Sequence, residues 1–579
     1  MATIVRRQPR GCPEPVYYYH ETYRVKVNPS DRGKGPGSGK SKVKSRDVYL
    51  GTAKQILEKI QAGQRPREIH KKQFGLVCAA LSVAEEIGLV EVIDRHVPKR
   101  RQGLSVGQYI LIAVLNKIAH PTSRNGIRDW IQRTVLPEKL GIDPGLLRSQ
   151  NFWDNFDLIL SEEDVRTQKE RLARAKIDED ELFSDEVILK IEEGIWERVC
   201  ERYQIPLDCV LYDTTNFFTF ISSGTDSFLA RTGRNKHARH NLRQVGLALA
   251  VIQGCELPFL HLLYHGRRSD AKLFPEAMTD LVSRYLALSK GVRKLTVVFD
   301  KGNNSRANLQ RASELNLRVV GSLVPAHHQD LVRVSLDRYV QIEGRLCYVT
   351  RKEVFGIPAK VVVSYNEATY RRQSRRLKAK VEALREEIRE YFRSHKDQPK
   401  SELKAALHDI LQRSDYGRYL LVEVEGRRHK RLVCRINLKA YRAKLRTFGK
   451  TILFTNDLEM PTEELINLYR SKNEVERQFR QLNDPEAIAF RPMYHWTDSK
   501  IKVYALICVL ALLVLQLMNY RARTHGLRMS NSILRAELAD IEEVVLLYSL
   551  TRVVKQLSSM STVQRTLFEI FDLGRYAPT

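Results

Sequence analysis

Three carboxylates stand where separate elements of the chain could bring them together. Asp213 ends the apolar run CVLYD, Asp300 ends the apolar run KLTVVFD, and Glu476 lies in the helical segment ELINLYRSKNEVERQFRQLN. Two strand-end aspartates and a helix-borne glutamate are what a two-metal phosphoryl-transfer site requires, because paired divalent ions stabilise the attacking and the leaving oxygen. Mg²⁺ prefers carboxylate oxygens and keeps bound waters, so a few carboxylates suffice.

The glutamate segment carries a polar stripe. At about 100° per residue, Tyr469, Lys472, Glu476 and Asn483 fall on one face of a helix. The opposite, packing side consists of Leu468, Phe479 and Leu482. A lone glutamate on a helix is usually only solvated, but one centred on a stripe with an aromatic and a cation indicates a functional face.

Five β runs and one helix set the positions of the aspartates. The order is DCVLYD, QVGLALAVI, LPFLHLLY, the helix LFPEAMTDLVSRYLAL, then KLTVVFD and LRVVGSLV. This order predicts a ribonuclease H-like sheet, in which Asp213 and Asp300 meet if the first and fourth strands are neighbours. The alternative for each aspartate alone is an ordinary turn or cap residue.

The charge of the chain indicates its partner. The sequence has 579 residues, 96 Lys and Arg against 68 Asp and Glu, and a formal net charge of +28. Such a surplus favours a polyanion, above all nucleic acid, over a merely basic soluble protein. The surplus is concentrated in residues 1–72 and 370–395.

Cysteine usage and hydropathy bear on the compartment. The eight cysteines are scattered without a C-x-x-C pair, which argues against a zinc site or a disulfide framework and fits a reducing cytosol. The N-terminus lacks the apolar stretch of a signal peptide. The apolar run Val503–Leu515 is short for a membrane span and is expected to be a buried helix. We therefore expect no membrane partner and a cytoplasmic protein.

The N-terminal part divides into a basic hairpin and a helical region. Residues 17–25 and 43–50 are expected to be strands joined by a basic loop, whose GSGKS lacks the spacing of a phosphate-binding loop. Further on, LSVGQYILIAVLNKIA, HPTS and RNGIRDWIQRTVL are typical of helix–turn–helix, with Ser123 as N-cap. Arg124 and Arg128 on the second helix are candidate DNA contacts. The alternative is a helical hairpin with Ile127 and Trp130 in a core.

These motifs together resemble the DDE transposases of bacterial insertion sequences, in the cut-and-paste group with the signature Y-x-x-R-x-x-x-E-x-x-x-x-x-x-K on the last helix. Tyr469 and Glu476 match that signature, whereas Lys472 replaces its arginine and Asn483 its lysine. The resemblance covers about 70–520 and continues through LYDTTNFF, GRNKHARHNLRQVGLALAV, HGRRSDAKLF, VVFDKGNNSRANL and RPMYHWTDSKIKVY.

The resemblance implies a ribonuclease H-like core, two Mg²⁺ or Mn²⁺ ions, and a homodimer on paired double-stranded transposon ends. Asp213, Asp300 and Glu476 would be the catalytic and metal-binding residues, and Tyr469 and Lys472 would contact DNA. Lysine keeps the charge of arginine but loses its forked geometry. The alternatives are a ribonuclease H-like nuclease without strand transfer, and a DNA-binding regulator that has lost catalysis, which the intact triad disfavours.

The long interval between Asp300 and Glu476 indicates an insertion in the core. It contains the β runs RLCYVT and AKVVVSY, then a helix with an apolar seam at Leu377, Val381, Leu384, Ile388 and Tyr391. The outer face of that helix carries Arg371, Arg372, Arg375, Arg376, Lys378 and Lys380. This face is either a solvated surface or a clamp over DNA phosphates.

We therefore expect a multidomain α/β protein whose mixed-sheet, ribonuclease H-like core is interrupted by an insertion domain and preceded by a β-hairpin and a helical domain. The expected divisions are a basic hairpin segment (1–65), a helical, DNA-binding domain (66–203), the first part of the core (204–330), the insertion (331–450), the second part of the core (451–520) and a C-terminal helical segment (521–579).

Overall fold

The computed structural model describes residues 2–10, 13–26, 41–61, 66–97, 103–174, 185–222, 224–233, 241–289, 294–426, 429–491, 493, 495–549 and 552–578. Most of the expected basic loop with its GSGKS, residues 27–40, lies outside the described residues. So do residues 234–240 of the GRNKHARH motif.

Eighteen strands and twenty α-helices make up this part of the chain. The strands are β1 (Ala2–Arg7), β2 (Val16–Lys26), β3 (Ser41–Thr52), β4 (Glu68–Gln73), β5 (Cys209–Phe218), β6 (Arg231–Thr232), β7 (Arg243–Ile252), β8 (Leu257–His265), β9 (Thr296–Phe299), β10 (Arg318–Leu323), β11 (Val340–Ile342), β12 (Arg345–Val354), β13 (Ile357–Tyr365), β14 (Leu420–Glu425), β15 (Arg431–Ile436), β16 (Lys450–Thr455), β17 (Glu542–Ser549) and β18 (Arg552–Leu557). The helices are α1 (Ala53–Gln61), α2 (Gly75–Glu86), α3 (Leu89–His96), α4 (Val106–Ala119), α5 (Arg124–Ile131), α6 (Leu136–Leu140), α7 (Ser149–Phe156), α8 (Glu162–Arg174), α9 (Glu186–Tyr203), α10 (Asp270–Leu288), α11 (Arg306–Glu314), α12 (Gln329–Val332), α13 (Glu367–Ser394), α14 (Lys400–Arg413), α15 (Leu438–Leu445), α16 (Thr462–Ser471), α17 (Asn473–Asn483), α18 (Asp498–Thr524), α19 (Asn531–Ala539) and α20 (Thr562–Ile570).

The main sheet has ten strands in the order β11-β12-β13-β16-β10-β9-β5-β7-β6, and β8 pairs with β7 outside this path. Strands β5, β9 and β10 run parallel, whereas β7 is antiparallel to both β5 and β8. Strands β7 and β8 are buried along almost their whole length, which explains their continuous apolar sequences. The five strands and the helix expected between 205 and 330 are β5, β7, β8, α10, β9 and β10. The chain is therefore an α/β protein built around a mixed sheet.

Strands β12 and β13 contain the runs RLCYVT and AKVVVSY, which we expected within the insertion. Instead, β13 pairs with β16 and β16 pairs with β10, so β12 and β13 extend the main sheet. The apolar run of β13 is buried at Val361, Val362 and Val363, which requires cover on both faces of the sheet. The part outside the sheet is therefore the shorter segment 366–449.

Segment 366–449 has a core of its own. Helix α13 packs against α14 and β15, and its buried residues join those of α14 and β14 in one cluster: Leu377, Val381, Leu384, Ile388, Phe392, Leu403, Leu407, Tyr419, Leu420 and Val424. Tyr391, expected at the end of the α13 seam, is partly buried against this cluster and its ring stacks on His395. Phe392 beside it is buried in the cluster. At the base of the segment, the Asn366 N–H donates to the Gly449 carbonyl at 2.8 Å.

Helix α18 is the central helix of the molecule and packs against α2, α4, α17 and β8. It is long and apolar enough, by length and composition, to cross a membrane, with a mean hydropathy of 2.4 over its most apolar window. That window is entirely buried inside the protein. The apolar run Val503–Leu515 is therefore the centre of a buried helix, as expected.

The helix–turn–helix expected near residue 120 consists of α4 and α5. Helix α4 begins with a capping box between Ser105 and Gln108. Ser123 does occupy the N-cap of α5, but no described backbone N–H donates to its hydroxyl. Ile127 and Trp130 are buried, so the packing side of α5 follows the helical-hairpin alternative.

Both chain ends contain sheets that differ from expectation. The N-terminal hairpin is a three-stranded antiparallel sheet, because β2 pairs with β1 in addition to β3. The C-terminal segment, expected to be helical, contains the hairpin β17–β18, and β17 also pairs with β4. Val16 and Tyr49 pack on Val544 and Leu546, which joins the two sheets.

Candidate active site

Two neighbouring parallel strands carry the aspartates of the candidate site. In the register of β5 and β9, Tyr212 lies opposite Phe299. Asp213 and Asp300 are the next residues of the two strands, so they occupy equivalent positions on strands about 4.8 Å apart. Both are partly exposed at the surface of the sheet. Asp300 follows the end of β9 as expected, but Asp213 lies in the middle of β5, which continues to Phe218, and not at a strand end. The parallel pairing of β5 with β9 nevertheless brings the two carboxylates together.

The glutamate segment forms two helices, not the single helix that the sequence suggested. Helix α16 ends at Ser471 and α17 begins at Asn473, and the N–H of Lys472 between them donates to the Tyr469 carbonyl at 3.4 Å. This hydrogen bond spans three residues, so the chain tightens at Lys472. Helix α16 packs against β9 and β10, and α17 packs against β5. Each aspartate-bearing strand thus has one half of the segment against it.

The Lys472 ammonium lies between the carboxylates. Its Nζ is 3.4 Å from Oδ2 of Asp300 and 3.5 Å from Oε1 of Glu476. The Tyr469 hydroxyl lies 2.7 Å from Oγ of Ser322 and 3.4 Å from Oδ1 of Asp300. The structure therefore brings Asp213, Asp300, Tyr469, Lys472 and Glu476 into one site.

The electrostatics of the site follow from these ion pairs. Burial alone would raise the pKa of Asp300, but the Lys472 ammonium and a bond from the Lys301 backbone N–H together lower it. Burial alone would lower the pKa of Lys472, but the carboxylates of Asp300, Asp213 and Glu476 raise it. Asp300 and Lys472 are therefore held ionised at neutral pH.

Contacts away from the carboxylates fix the orientation of α17. Glu474 accepts a bond from the Gly254 N–H at 2.8 Å, and Arg477 donates to Glu256 at 2.6 Å, which ties the helix to the β7–β8 turn. Gln478 is buried and bonded to Gln516 of α18 at 2.7 Å. These anchors fix the helix that carries Glu476 against the core.

Asn483 does not contact the other members of the polar stripe through any described bond. Its Nδ2 donates to the Phe479 carbonyl of its own helix at 2.8 Å, and its Oδ1 is buried without a described partner. Asn483 lies seven residues after Glu476 on the same helix, a rise of about 10 Å, so it is two turns away from the carboxylates.

A cleft of about 290 Å³ opens beside Lys472 and Glu476. The sequence had not pointed to Arg345, which lines this cleft together with Tyr469 and Arg470. Ser322, the partner of Tyr469, was missed as well. Neither residue has a local sequence signal, because each reaches the site only through strand pairing. Ser322 is brought there by the pairing of β10 with β9, and Arg345 by the successive pairings of β10, β16, β13 and β12.

The expected DNA contacts outside the site divide into two groups. Arg371, Arg372, Arg375 and Arg376 are all exposed on α13, and Arg128 is exposed on α5. Arg124 is different: its guanidinium turns inward and stacks on the ring of Trp153 at 4.1 Å. Arg124 is therefore not part of an outward DNA-reading face, because aromatic side chains from other helices hold it.

The donor chemistry of the site suits a divalent cation. Three carboxylates offer the hard oxygens that Mg²⁺ and Mn²⁺ prefer, and the Lys472 ammonium places a positive charge between two of them. Among the described residues, no three His, Cys, Asp or Glu side chains form a ready-made metal cluster. The site thus has the ligand types for a metal. In this structure the Lys472 ammonium balances part of the negative charge of Asp300 and Glu476.

No protein-family model matches the chain, and no curated protein matches it. One similar solved structure is the cryo-EM structure of a piggyBac transposase synaptic complex with hairpin DNA. It shares 9% sequence identity with this chain at a TM-score of 0.37, and the match covers 88% of each chain. The function proposed below rests on the residues of the site.

Proposed function

We propose that the chain is a DDE-type DNA transposase, which cleaves DNA at transposon ends and joins the freed strands to target DNA. One observation carries this proposal: Asp213 and Asp300 occupy equivalent positions on adjacent parallel strands, and Lys472 links Asp300 to the helix-borne Glu476. The order β8-β7-β5-β9-β10, with only β5, β9 and β10 parallel, is the strand arrangement expected of a ribonuclease H-like core.

In this proposal Asp213, Asp300 and Glu476 would hold two Mg²⁺ or Mn²⁺ ions. Bound there, the ions would stabilise charge on the attacking and leaving oxygens of the phosphodiester. The lowered pKa of Asp300 keeps this carboxylate ionised and therefore able to bind a cation. Lys472 supplies a compact positive charge to the phosphate, where an arginine would supply a fork.

The proposed reaction has two displacements at phosphorus. Water attacks the phosphodiester at the transposon end and releases a 3′-hydroxyl and a 5′-phosphate. The 3′-hydroxyl then attacks a target phosphodiester, forms the new strand junction and displaces the target 3′-oxygen. Arg345 and Arg470, which line the cleft, are placed to hold the phosphates of the bound strand.

The proposed partners follow from the same assignment. Double-stranded DNA is the substrate and the target, and the net charge of +28 supplies its sequence-independent attraction. We propose a homodimer on paired ends, because strand transfer requires two ends held together. The proposed location is the bacterial cytoplasm, on the nucleoid when DNA is bound.

The test uses a supercoiled plasmid that carries the DNA flanking the gene, incubated with the protein and Mg²⁺. We expect strand cleavage and joined products from the parent, and a decrease of at least about 10³-fold in cleavage from Asp213→Asn, Asp300→Asn or Glu476→Gln. Gel shifts should show nearly unchanged DNA binding, because phosphate contacts elsewhere dominate affinity. Asp208→Asn, five residues before Asp213, is the matched control and should cleave as the parent does.

The outcomes separate the alternatives. Cleavage without joined products would indicate a nuclease. DNA binding without cleavage by the parent would indicate a regulator. Cleavage at the parental rate by the three triad variants would exclude these carboxylates as the site.

A further inference from the structure

A cavity of about 700 Å³ lies outside the carboxylate site, between the α4–α5 turn, α7 and the segment that precedes α18. It adjoins two of the three elements that carry the carboxylates, α17 and β5. Its Ala489 follows α17, and the carbonyl of nearby Met493 accepts a bond at 3.1 Å from the N–H of Phe220, just past the end of β5. The cavity is therefore connected to the carboxylate site through α17 and β5.

The wall of this cavity holds a buried cation. The Arg124 guanidinium stacks on Trp153 at 4.1 Å and lies 5.5 Å from the ring of Tyr504. Its Nη1 is 3.3 Å from Nε2 of His495, and its Nε is buried without a described partner. No carboxylate of the described residues pairs with Arg124.

A second buried cation lines the same wall. Lys117 Nζ donates to the Tyr504 hydroxyl at 2.8 Å and to the Ala489 carbonyl at 3.1 Å. Burial lowers the pKa of Lys117, and lowers the pKa of Arg124 to about 10. A buried charge without an opposite charge is costly. Two of them in one wall therefore indicate a site that an anionic group neutralises.

The cavity also has an aromatic side. Burial and the nearby cations Arg124, Lys117 and Lys500 hold the pKa of His495 well below its usual range, so the ring is neutral and can accept the Arg124 bond. Trp496, also in the lining, is 65% exposed. An exposed tryptophan beside buried cations combines a stacking surface with an anion site, which are the two parts that hold a nucleotide.

We propose that this cavity binds one unpaired nucleotide of a DNA strand, with the phosphate at Arg124 and Lys117 and the base stacked on Trp496. The proposal rests on the proposed function for the presence of DNA, but not on catalysis. A phosphate site alone would not need the exposed tryptophan, and a purely apolar ligand would leave the two cations unpaired.

The test is fluorescence anisotropy with the full-length protein in metal-free buffer, so that no strand is cut. Three labelled DNA duplexes are compared: one with a short single-stranded overhang, one with an abasic overhang of equal charge, and one blunt. We expect the overhang with bases to bind roughly tenfold more tightly than the abasic one, because each stacked base contributes to affinity.

Two variants assign that preference to the cavity. Trp496→Ala should remove the difference between the base-bearing and abasic overhangs, and Arg124→Gln should weaken both relative to the blunt duplex. Phe355→Ala, which removes another exposed aromatic in the β12–β13 turn, should keep the preference. Thermal unfolding followed by circular dichroism verifies that each variant is folded.

The results separate this inference from the proposed function. Tight binding of all three duplexes without a preference for unpaired bases overturns the inference and leaves the transposase proposal standing. Failure to bind any duplex overturns both this inference and the transposase proposal. Competition by free dAMP as strong as that by the overhang would assign the cavity to free nucleotides and overturn the assignment to a strand.

Discussion

Lys472 balances the charge of the candidate site before DNA binds. Its side chain is only 13% exposed, and its ammonium contacts Asp300 and Glu476 while Asp213 is near enough to raise its pKa. Three carboxylates close together repel one another, and a cation between them reduces this electrostatic repulsion. One of the two residues that depart from the transposase signature is therefore at the centre of the charge network.

Removing this cation should impair cleavage strongly. We expect Lys472→Ala to reduce the cleavage rate at least about tenfold and Lys472→Arg to retain or raise it, because either cation can meet a phosphate. Cleavage rates on pre-formed ends measure the effect. Lys190→Ala is the control, since Lys190 is exposed and paired with Glu186 one turn away. An alanine variant as fast as the parent would remove Lys472 from the site.

The ion pair of Lys472 with Asp300 also predicts a pH dependence of stability. The lowered pKa of Asp300 gives stability that is present above its unfolded value of 3.8 and disappears as pH falls through the folded value. The raised pKa of Lys472 gives stability that is present below 10.5 and disappears as pH rises through its folded value. The Tm difference between the parent and Lys472→Met should therefore be constant from about pH 5 to 9 and shrink below about pH 4. A difference that grows on acidification would contradict this assignment.

Sequence reasoning reached some residues of the site and missed others for identifiable reasons. Asp213, Asp300 and Glu476 were accessible because an apolar run that ends in a carboxylate and the periodicity of a helix are local patterns, although β5 continues five residues beyond Asp213. Arg345 was inaccessible, because several strand pairings separate β12 from β9. Arg124 was placed outward because its helix shows polar residues there, whereas Trp153 and Tyr504, which hold it inward, come from α7 and α18.

At the level of elements, α13 presents an unusual cationic face. Arg371 pairs with Glu367 at 2.5 Å, but no ion pair of the described chain involves Arg372, Arg375 or Arg376. The C-terminal half of the helix differs, because Arg389 and Arg393 both pair with Glu386. The arginines without an ion pair are therefore concentrated on the half of α13 nearest the main sheet.

Neutralising the arginines on the N-terminal half of α13 should weaken DNA binding. We expect the triple change of Arg372, Arg375 and Arg376 to Gln to reduce the salt dependence of binding by about one unit of slope for each DNA phosphate that is no longer bound. Binding constants measured between about 50 and 200 mM salt, a range in which phosphate binding changes affinity by orders of magnitude, provide the slope. A triple Gln variant at Arg166, Lys190 and Arg393 removes equal charge from ion-paired sites and should keep the parental slope. If both triple variants had the same salt dependence of binding, the α13 face would be a solvated surface that does not contact DNA phosphates.

The elements that the sequence missed depend on distant partners. β17 was expected to be part of a helical segment, and it is a strand because β4, far away in the chain, supplies its edge. β1 has only six residues, and the strand that it pairs with is β2. By contrast β7, β8 and α18 were recognisable, since their own apolar patterns are long enough to fix the type of element.

At the level of the whole molecule, segment 366–449 is attached to the main sheet by two adjacent strands. Tyr365 of β13 lies opposite Lys450 of β16, so the segment leaves and returns at one point. Its apolar residues form a cluster separate from that of the main core. The core and the segment therefore meet the conditions for independent folding units.

Replacing 366–449 by an Asn-Gly turn should leave the core folded. We expect a cooperative thermal transition to remain, because an Asn-Gly turn joins adjacent antiparallel strands directly. DNA binding should fall at least about tenfold, because the exposed arginines of α13 are removed with the segment. Calorimetry and gel shifts measure the two effects, and the Arg372, Arg375 and Arg376 variant in the full chain is the comparison. A deleted protein that unfolds without a transition would show that the segment supports the core.

The hydrogen bond between Asn366 and Gly449 has a further consequence for the order in which the chain acquires structure. Closing β13 against β16 from an unstructured state requires a long loop to form, and the entropy of closure grows with loop length. If the inserted segment collapses first on its own apolar cluster, its two ends are already adjacent, and the effective loop shortens to a single turn. Residue pairs that are distant along the chain then behave as local ones, which accelerates the search for the native topology. A segment that was inserted between two strands can thus act as the nucleus that brings them together.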